Sequence, residues 1–220
     1  MRGSVCVAIF FVVTCTAFAQ VVYNAQPQGS LLWQRPVLEF PDTLPAATVL
    51  KEMITKLRVG KVQVVLEETE LKEVQKRLGG KIVRSGDAST ANASLCFCGK
   101  DVNGQWALWL DSSEIAGLRL IDGFTLERLN GNAGADRRCR LIPEDEGGVE
   151  LPIALQFGQT EMQVRQILGK PTLRYRSSLI FEHEHQETIR NEPYTVINTV
   201  TIGLRHGRVW VLQVFKSTQS

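Results

Sequence analysis

The sequence is poor in the residues and motifs that build an active site. There is no Gly-x-Ser-x-Gly run, so no serine sits on a recognisable nucleophile elbow. The three histidines, His183, His185 and His206, all lie in the second half, and the position four after His183 is Glu187, which excludes the His-Glu-x-x-His metal helix. No cysteine pair has CxxC spacing, and Cys-x-Cys without further ligands argues against zinc. Gly131-Asn132-Ala133-Gly134 lacks the lysine and flanking strand of a phosphate-cradling loop. Asp101-Val102-Asn103-Gly104 opens like a calcium loop but lacks the later ligands and the closing glutamate, so it reads as a hairpin turn. Charge of one sign is also missing. The formal net charge of +2 falls to about +1 without Arg2, too little for a global field that recruits nucleic acid or anionic lipid. The acidic clusters Glu67-Glu68-Glu70 and Glu144-Asp145-Glu146 read as a helix start and a solvated linker. No cofactor is implied, and the chain is expected not to be an enzyme.

Long apolar runs are scarce as well, and the one present is informative. Arg2, the uncharged run from Val5 to Phe18 and Ala17-Phe18-Ala19 have the three parts of a secretory signal, with cleavage expected after Ala19. The run is shorter than the roughly 18 to 20 apolar residues that span a bilayer. Lipid anchoring at Cys15 is the alternative, but Val12-Val13-Thr14 lacks the leucine and the very small residue that lipidation signals favour. No second run is long enough to cross a membrane, so the mature chain is expected to be periplasmic or secreted, with no transmembrane segment and no nucleic-acid partner.

Removal of Cys6 and Cys15 with the signal leaves three cysteines. Cys96 and Cys98 alternate along a predicted strand and so share a face, whereas Cys139 lies in a polar stretch. In an oxidising compartment these residues predict one disulfide, from Cys139 to Cys96 or Cys98. A thiol–histidine dyad is the competing reading, but the disulfide removes it and the histidines belong to the other half.

The remaining chain divides into an extended lead-in (20–44), a first unit (45–130), a Gly- and charge-rich linker (131–152) and a second unit (153–220). Pro45 and the spacing of Val49, Met53, Ile54 and Leu57 predict a helix ending at Gly60. Alternating Val62, Val64 and Leu66 predict a strand. A short motif then appears twice. Glu67-Glu68-Thr69-Glu70 leads into Leu71, Val74 and Leu78 and stops at Gly79-Gly80; Gly158-Gln159-Thr160-Glu161 leads into Met162, Val164, Ile167 and Leu168 and stops at Gly169 before Pro171. Both copies contain Val-x-x-x-Leu-Gly, with threonine as the expected helix N-cap and glycine as the C-cap. Strand-like runs follow each: Leu95–Gly99, Gln105–Asp111 and Leu118–Leu129, then Leu179–Gln186, Tyr194–Leu204 and Val209–Lys216. The Tyr194 run places Val196, Val200, Ile202 and Leu204 on one face and Thr195, Thr199 and Thr201 on the other, as in an antiparallel sheet covered on one side. The fold class is therefore α+β: two tandem helix-plus-antiparallel-meander units, helices packed on one face of the sheet.

A capped helix ending in Leu-Gly and followed by a three-strand meander resembles the β-lactamase-inhibitor-protein-like fold, and is distantly similar to the small lipoprotein of the outer-membrane barrel-assembly machine. Gly158-Gln159-Thr160, Val164, Leu168-Gly169-Lys170-Pro171 and the strands to Phe215 carry the resemblance, with a looser match at Thr69, Val74 and Leu78-Gly79. The resemblance implies an exported, non-catalytic domain whose sheet or loops contact another protein. The lipidated cysteine of the assembly lipoprotein has no matching counterpart here.

Aromatic residues supply the candidate interface. Trp106 with Leu108 and Leu110 fits the core, which turns Trp109 to the opposite face, where Phe97 and Tyr175 are expected to join it. The competing reading has Trp109 covered by the lead-in or the other half. His183-Glu184-His185 puts two imidazoles on one strand face, a candidate metal pair that Glu182 or Glu187 would complete, with His206 out of reach on the order of 30 Å away. The function these readings support is a non-enzymatic protein-binding or inhibitory module. The alternatives are an envelope assembly factor and a metal-dependent enzyme using His183 and His185.

Overall fold

The computed structural model describes residues 53–87, 91–101, 104–114, 116–129 and 139–219, with parts of 38–45. The expected export signal, Cys15, most of the lead-in, the Val49 end of the expected first helix and residues 130–138 lie outside the described residues.

The expected helix to Gly60 gives way to a β-hairpin. Strands β1 (Lys56–Val59) and β2 (Val62–Val65) pair antiparallel, with Leu57 opposite Val64 and Val59 opposite Val62. Leu57 fits both helical spacing and the period-two series Leu57, Val59, Val62, Val64. The two-residue turn decides between them, because Gly60 supplies a φ of +56° that a helix interior does not use. A third strand, β8 (Val149–Glu150), pairs on the far side of β1. Within 131–152, β7 (Arg140–Leu141) runs parallel to β4 (Asn92–Asp101), and Ile142 is buried in the core. The expected linker is thus woven into both sheets over its second half.

The larger sheet follows from the meanders. It comprises β3 (Ile82–Ser85), β4 (Asn92–Asp101), β5 (Gly104–Ser113), β6 (Gly123–Arg128), β9 (Leu173–Tyr175), β10 (Ser178–Ile189), β11 (Glu192–Arg205) and β12 (Arg208–Gln219), with β7 attached to β4. Its order is β3-β4-β5-β6-β12-β11-β10-β9, and the pairing of Leu126 with Leu212 joins the two meanders into one sheet. All neighbours in this order are antiparallel, so the molecule is mostly β with two short helices, broadly α+β.

Helices α1 (Leu71–Leu78) and α2 (Glu161–Leu168) are each eight residues long and end at glycines of positive φ, +78° at Gly79 and +88° at Gly169. Their starts differ. Thr160 and Gln163 form a reciprocal capping box, whereas the N-cap of α1 is Glu70, whose side chain makes no capping bond. Thr69 is therefore not the expected cap; its hydroxyl accepts Val65 N–H at 2.9 Å. Alignment on Val-x-x-x-Leu-Gly explains the slip, since it sets Glu70 rather than Thr69 opposite Thr160. Upstream the two segments make corresponding isolated bridges, Glu70 with Leu120 and Thr160 with Arg208, and share one backbone bond in register, into Thr69 and Gln159, while the return bond is displaced by one residue. Glu67 N–H donates to Ile121 C=O and Ile121 N–H to Thr69 C=O; Gly158 N–H donates to Val209 C=O and Val209 N–H to Gln159 C=O.

Cross-strand pairs share a face. The row Phe97, Leu108, Leu126, Leu212, Ile202 and Leu179 lies on the inner face, and all six are buried in one cluster with Leu71, Val74, Val164 and Leu168. Side chains of this size contribute about 1.5–3 kcal/mol each when fully buried. The outer row Trp109, Thr125, Gln213, Thr201, Ile180 and Leu173 is also largely covered: Thr125, Thr201 and Ile180 are buried. Part of that cover is visible. A Cβ on Gly203 would stand 2.9 Å from Leu38 Cδ2, so the end of the lead-in lies against this face. The expectation of one open polar face is corrected to a sheet covered on much of both.

Candidate functional site

The expected aromatic surface does not form. Phe97 pairs with Leu108 and is fully buried on the inner face, opposite to Trp109, because it is one residue out of phase with Cys96 and Cys98. Phe97 is therefore withdrawn as an interface residue. Trp109 does point outward, but it is 8% exposed and packs with Cys96, Ala107, Leu129 and Cys139. Tyr175 lies on the same outer face at the far edge strand, five strand spacings from Trp109, or roughly 24 Å. It is half-buried, and the Arg176 guanidinium stands 5.4 Å from its ring centre.

The cysteines resolve the choice left by the sequence. Cys96 and Cys139 form the disulfide, with Cα atoms 4.5 Å apart. Cys98 is buried beside them, and its carbonyl accepts Ile142 N–H at 2.8 Å. The disulfide ties Cys139, just ahead of β7, to the outer face, where it packs with Leu129 and Ala107 around Trp109.

The histidine pair sits on the β10–β11 hairpin. His183 pairs with Asn198 and His185 with Val196, and their rings are 5.0 Å apart between centres. His185 Nε2 and Glu187 Oε1 are 2.8 Å apart. Burial, and secondarily the neighbouring His185, hold the His183 imidazole below its ordinary pKa; the hydrogen bond from His185 lowers Glu187. His206 belongs to the turn beyond the other end of β11, eight residues past Asn198 and on the order of 25 Å along the strand. Among the described residues no group of three or more histidine, cysteine or acidic side chains is placed to hold a metal ion. No described helix is long and apolar enough to cross a membrane.

Two features were not expected. The first is a buried acid. Asp122, 1% exposed, precedes β6, and its Oδ2 accepts Ser113 N–H at 3.0 Å and the Ser113 hydroxyl. Burial, reinforced by Asp111 and opposed by the Ser113 bonds, pushes its carboxyl up to about 6. Nothing local in Ile121-Asp122-Gly123 signals this, because the burial comes from β5 and β12 packing around it.

The second is an open sheet edge. β10 pairs with β11 over its whole length, Ser178 to Ile189, but with β9 only at Ser178–Ile180. Among the described residues, no strand pairs with the outer side of β10 from Phe181 to Ile189. β9 cannot extend to cover it, since Pro171 and the end of α2 at Gly169 take the chain away. The hairpin itself is closed by a two-residue turn at Arg190 and Asn191, both at positive φ. Between Glu182 and Tyr194 there are four glutamates (182, 184, 187, 192) and one arginine, a formal charge of −3. Glu-His-Glu-His-Gln-Glu after Phe181 was the available signal: a strand continuing past its apolar part into solvent.

A cavity of about 280 Å³ lies between the sheet and the 149–157 segment, lined by Trp106, Leu126, Leu155, Phe157, Val209 and Leu212 among others. No family model matches the chain, and no curated protein or solved structure matches it.

Proposed function

We propose that the protein is an exported, non-enzymatic module that binds another protein through the β10 side of its sheet. It belongs to the oxidising space of the periplasm or extracellular medium, for which the signal-like first 19 residues and the Cys96–Cys139 disulfide speak. Its architecture is read as a tandem of one helix-and-meander unit. Support comes from the shared Val-x-x-x-Leu-Gly, from the corresponding isolated bridges at the start of each helix, Glu70–Leu120 and Thr160–Arg208, and from a strand order that mirrors itself about β6 and β12. The same features favour the β-lactamase-inhibitor-protein-like resemblance.

The observation that carries the binding reading is the outer edge of β10, which beyond β9 has no paired strand among the described residues and so offers backbone donors and acceptors. Such an edge is a template for a further strand, and soluble proteins that leave one open use it for recognition or shield it. The test is affinity capture from envelope and culture fractions on the purified oxidised protein, read by mass spectrometry and followed by titration of the captured protein. One partner that saturates supports the module; a folded bait that captures nothing at micromolar concentration overturns it.

A further inference from the structure

We infer that the free edge of β10 receives an extended, lysine- or arginine-bearing segment of another protein as the next strand of the sheet, an inference that rests on the protein-binding reading above. The backbone sets the frame. Glu182 N–H points away from β11, because it donates to Thr172 Oγ1 at 3.0 Å on the β9 side. Strand alternation then turns the N–H and C=O groups of Glu184, Gln186 and Thr188 outward as well. Residues 183–189 give an incoming strand about 23 Å of pairing length.

The side chains set the chemistry. Glu182 and Glu184 project on one face of β10, flanking the position an added strand would take. Among the described residues neither carboxylate has an ion-pair partner. Burial, and then repulsion from Glu184, raise the Glu182 pKa, so the pair lacks a compensating cation. On the other face His183, His185 and Ile189, the last 38% exposed, offer ring and apolar surface. The complementary ligand is an extended segment with cationic side chains on the face of Glu182 and Glu184, and apolar or aromatic side chains on the face of His183 and His185. A second copy of the chain fits less well, since it would set two tips of formal charge −3 side by side.

The test uses a fluorescein-labelled nonapeptide alternating lysine with valine, titrated into the oxidised protein and read by anisotropy. Three controls accompany it: threonine in place of lysine, glutamate in place of lysine, and the lysine peptide N-methylated at alternate residues. Binding in the micromolar range is expected for the lysine peptide and none for the glutamate peptide. N-methylation, or Gln186→Pro in the protein, should weaken binding about tenfold or more through lost strand hydrogen bonds. Glu182→Gln with Glu184→Gln should weaken it roughly three- to tenfold. Equal binding of the N-methylated peptide would reduce the effect to bulk charge and overturn strand addition; equal binding of the threonine peptide would overturn the basic requirement. No lysine-peptide binding, or a self-association abolished by Gln186→Pro, would overturn the inference too. Repeating the capture with Gln186→Pro bait separates the two claims. A partner retained by that bait sinks the edge inference and leaves the binding module standing, whereas a partner lost from it supports both.

Discussion

Replacing Asp122 by asparagine should make the protein's stability less sensitive to pH, and the size of the effect follows from the site. The carboxyl is raised from 3.8 to about 6, chiefly by burial. A raised acid holds its proton more tightly in the fold than in the unfolded chain. Its contribution is therefore fully present below about pH 4, is lost as pH rises towards 6, and is absent above. A displacement of this size corresponds to about 3 kcal/mol across that window. Asparagine keeps an oxygen for Ser113 N–H and its hydroxyl but has no charge to bury. The two proteins should thus be similarly stable near pH 4, with the variant gaining by up to about 3 kcal/mol near pH 7. Urea unfolding at several pH values, followed by tryptophan emission, measures the difference. Glu182 is raised in the same direction, but it is common to both proteins and cancels. If the stability gap stays constant from pH 4 to 7, or if the variant loses ground as pH rises, the assignment of a destabilising buried charge to Asp122 is refuted.

Two further changes probe the frame of the molecule. Cys139→Ser opens a 43-residue loop and should cost about 4 kcal/mol on the loop-entropy relation, with a red shift of Trp109 emission in the folded state as Cys139 loosens; unchanged stability and emission would show that strand pairing and packing hold the 139–142 segment without the disulfide. Thr160→Ala breaks the α2 capping box and should cost about 1 kcal/mol by urea denaturation, whereas Glu70→Ala should cost only a few tenths because Glu70 makes no capping bond. Equal losses would contradict the asymmetry between the two helix starts.

The parts of the fold legible in the sequence are those set by local chemistry. Both helices lie where Val-x-x-x-Leu-Gly placed them, and the six predicted long strands lie in the large sheet. One of these strands, read as Leu118–Leu129, is regular only at Gly123–Arg128, since Leu118 adopts a positive φ. Strand β2 lies where alternating Val62, Val64 and Leu66 placed it, whereas β1 reads as the end of a helix because Leu57 fits both periods and a glycine turn that closes a hairpin also looks like a helix stop. Strands β7, β8 and β9 are two or three residues long, below any periodicity that sequence can display; they exist because longer partners recruit them. The candidate interface failed at Phe97 for a different reason. A single aromatic residue does not declare its face, and only the registers Cys96–Trp109 and Phe97–Leu108 assign it. The disulfide partner was open for the same reason, and it is settled by the path of a segment whose approach depends on β7.

Charges on a strand edge commonly serve to discourage pairing, so Glu182 and Glu184 need not by themselves signal a partner. The other edge strands argue for treating β10 separately. β3 has four residues and β9 three, and shortness alone leaves them little backbone to offer. β10 has twelve residues and continues past Phe181 with full pairing, among the described residues, on one side only. A protective design would shorten this hairpin, bulge it or place proline on its outward positions, and none of Glu184, Gln186 or Thr188 is proline. Uniform negative charge repels a like-charged copy while leaving the backbone available to a basic strand. Discouraging self-pairing and selecting a cationic partner are then the same electrostatic property, and the Glu182→Gln/Glu184→Gln variant tests both directions. It should lose affinity for the lysine peptide while gaining tendency to self-associate.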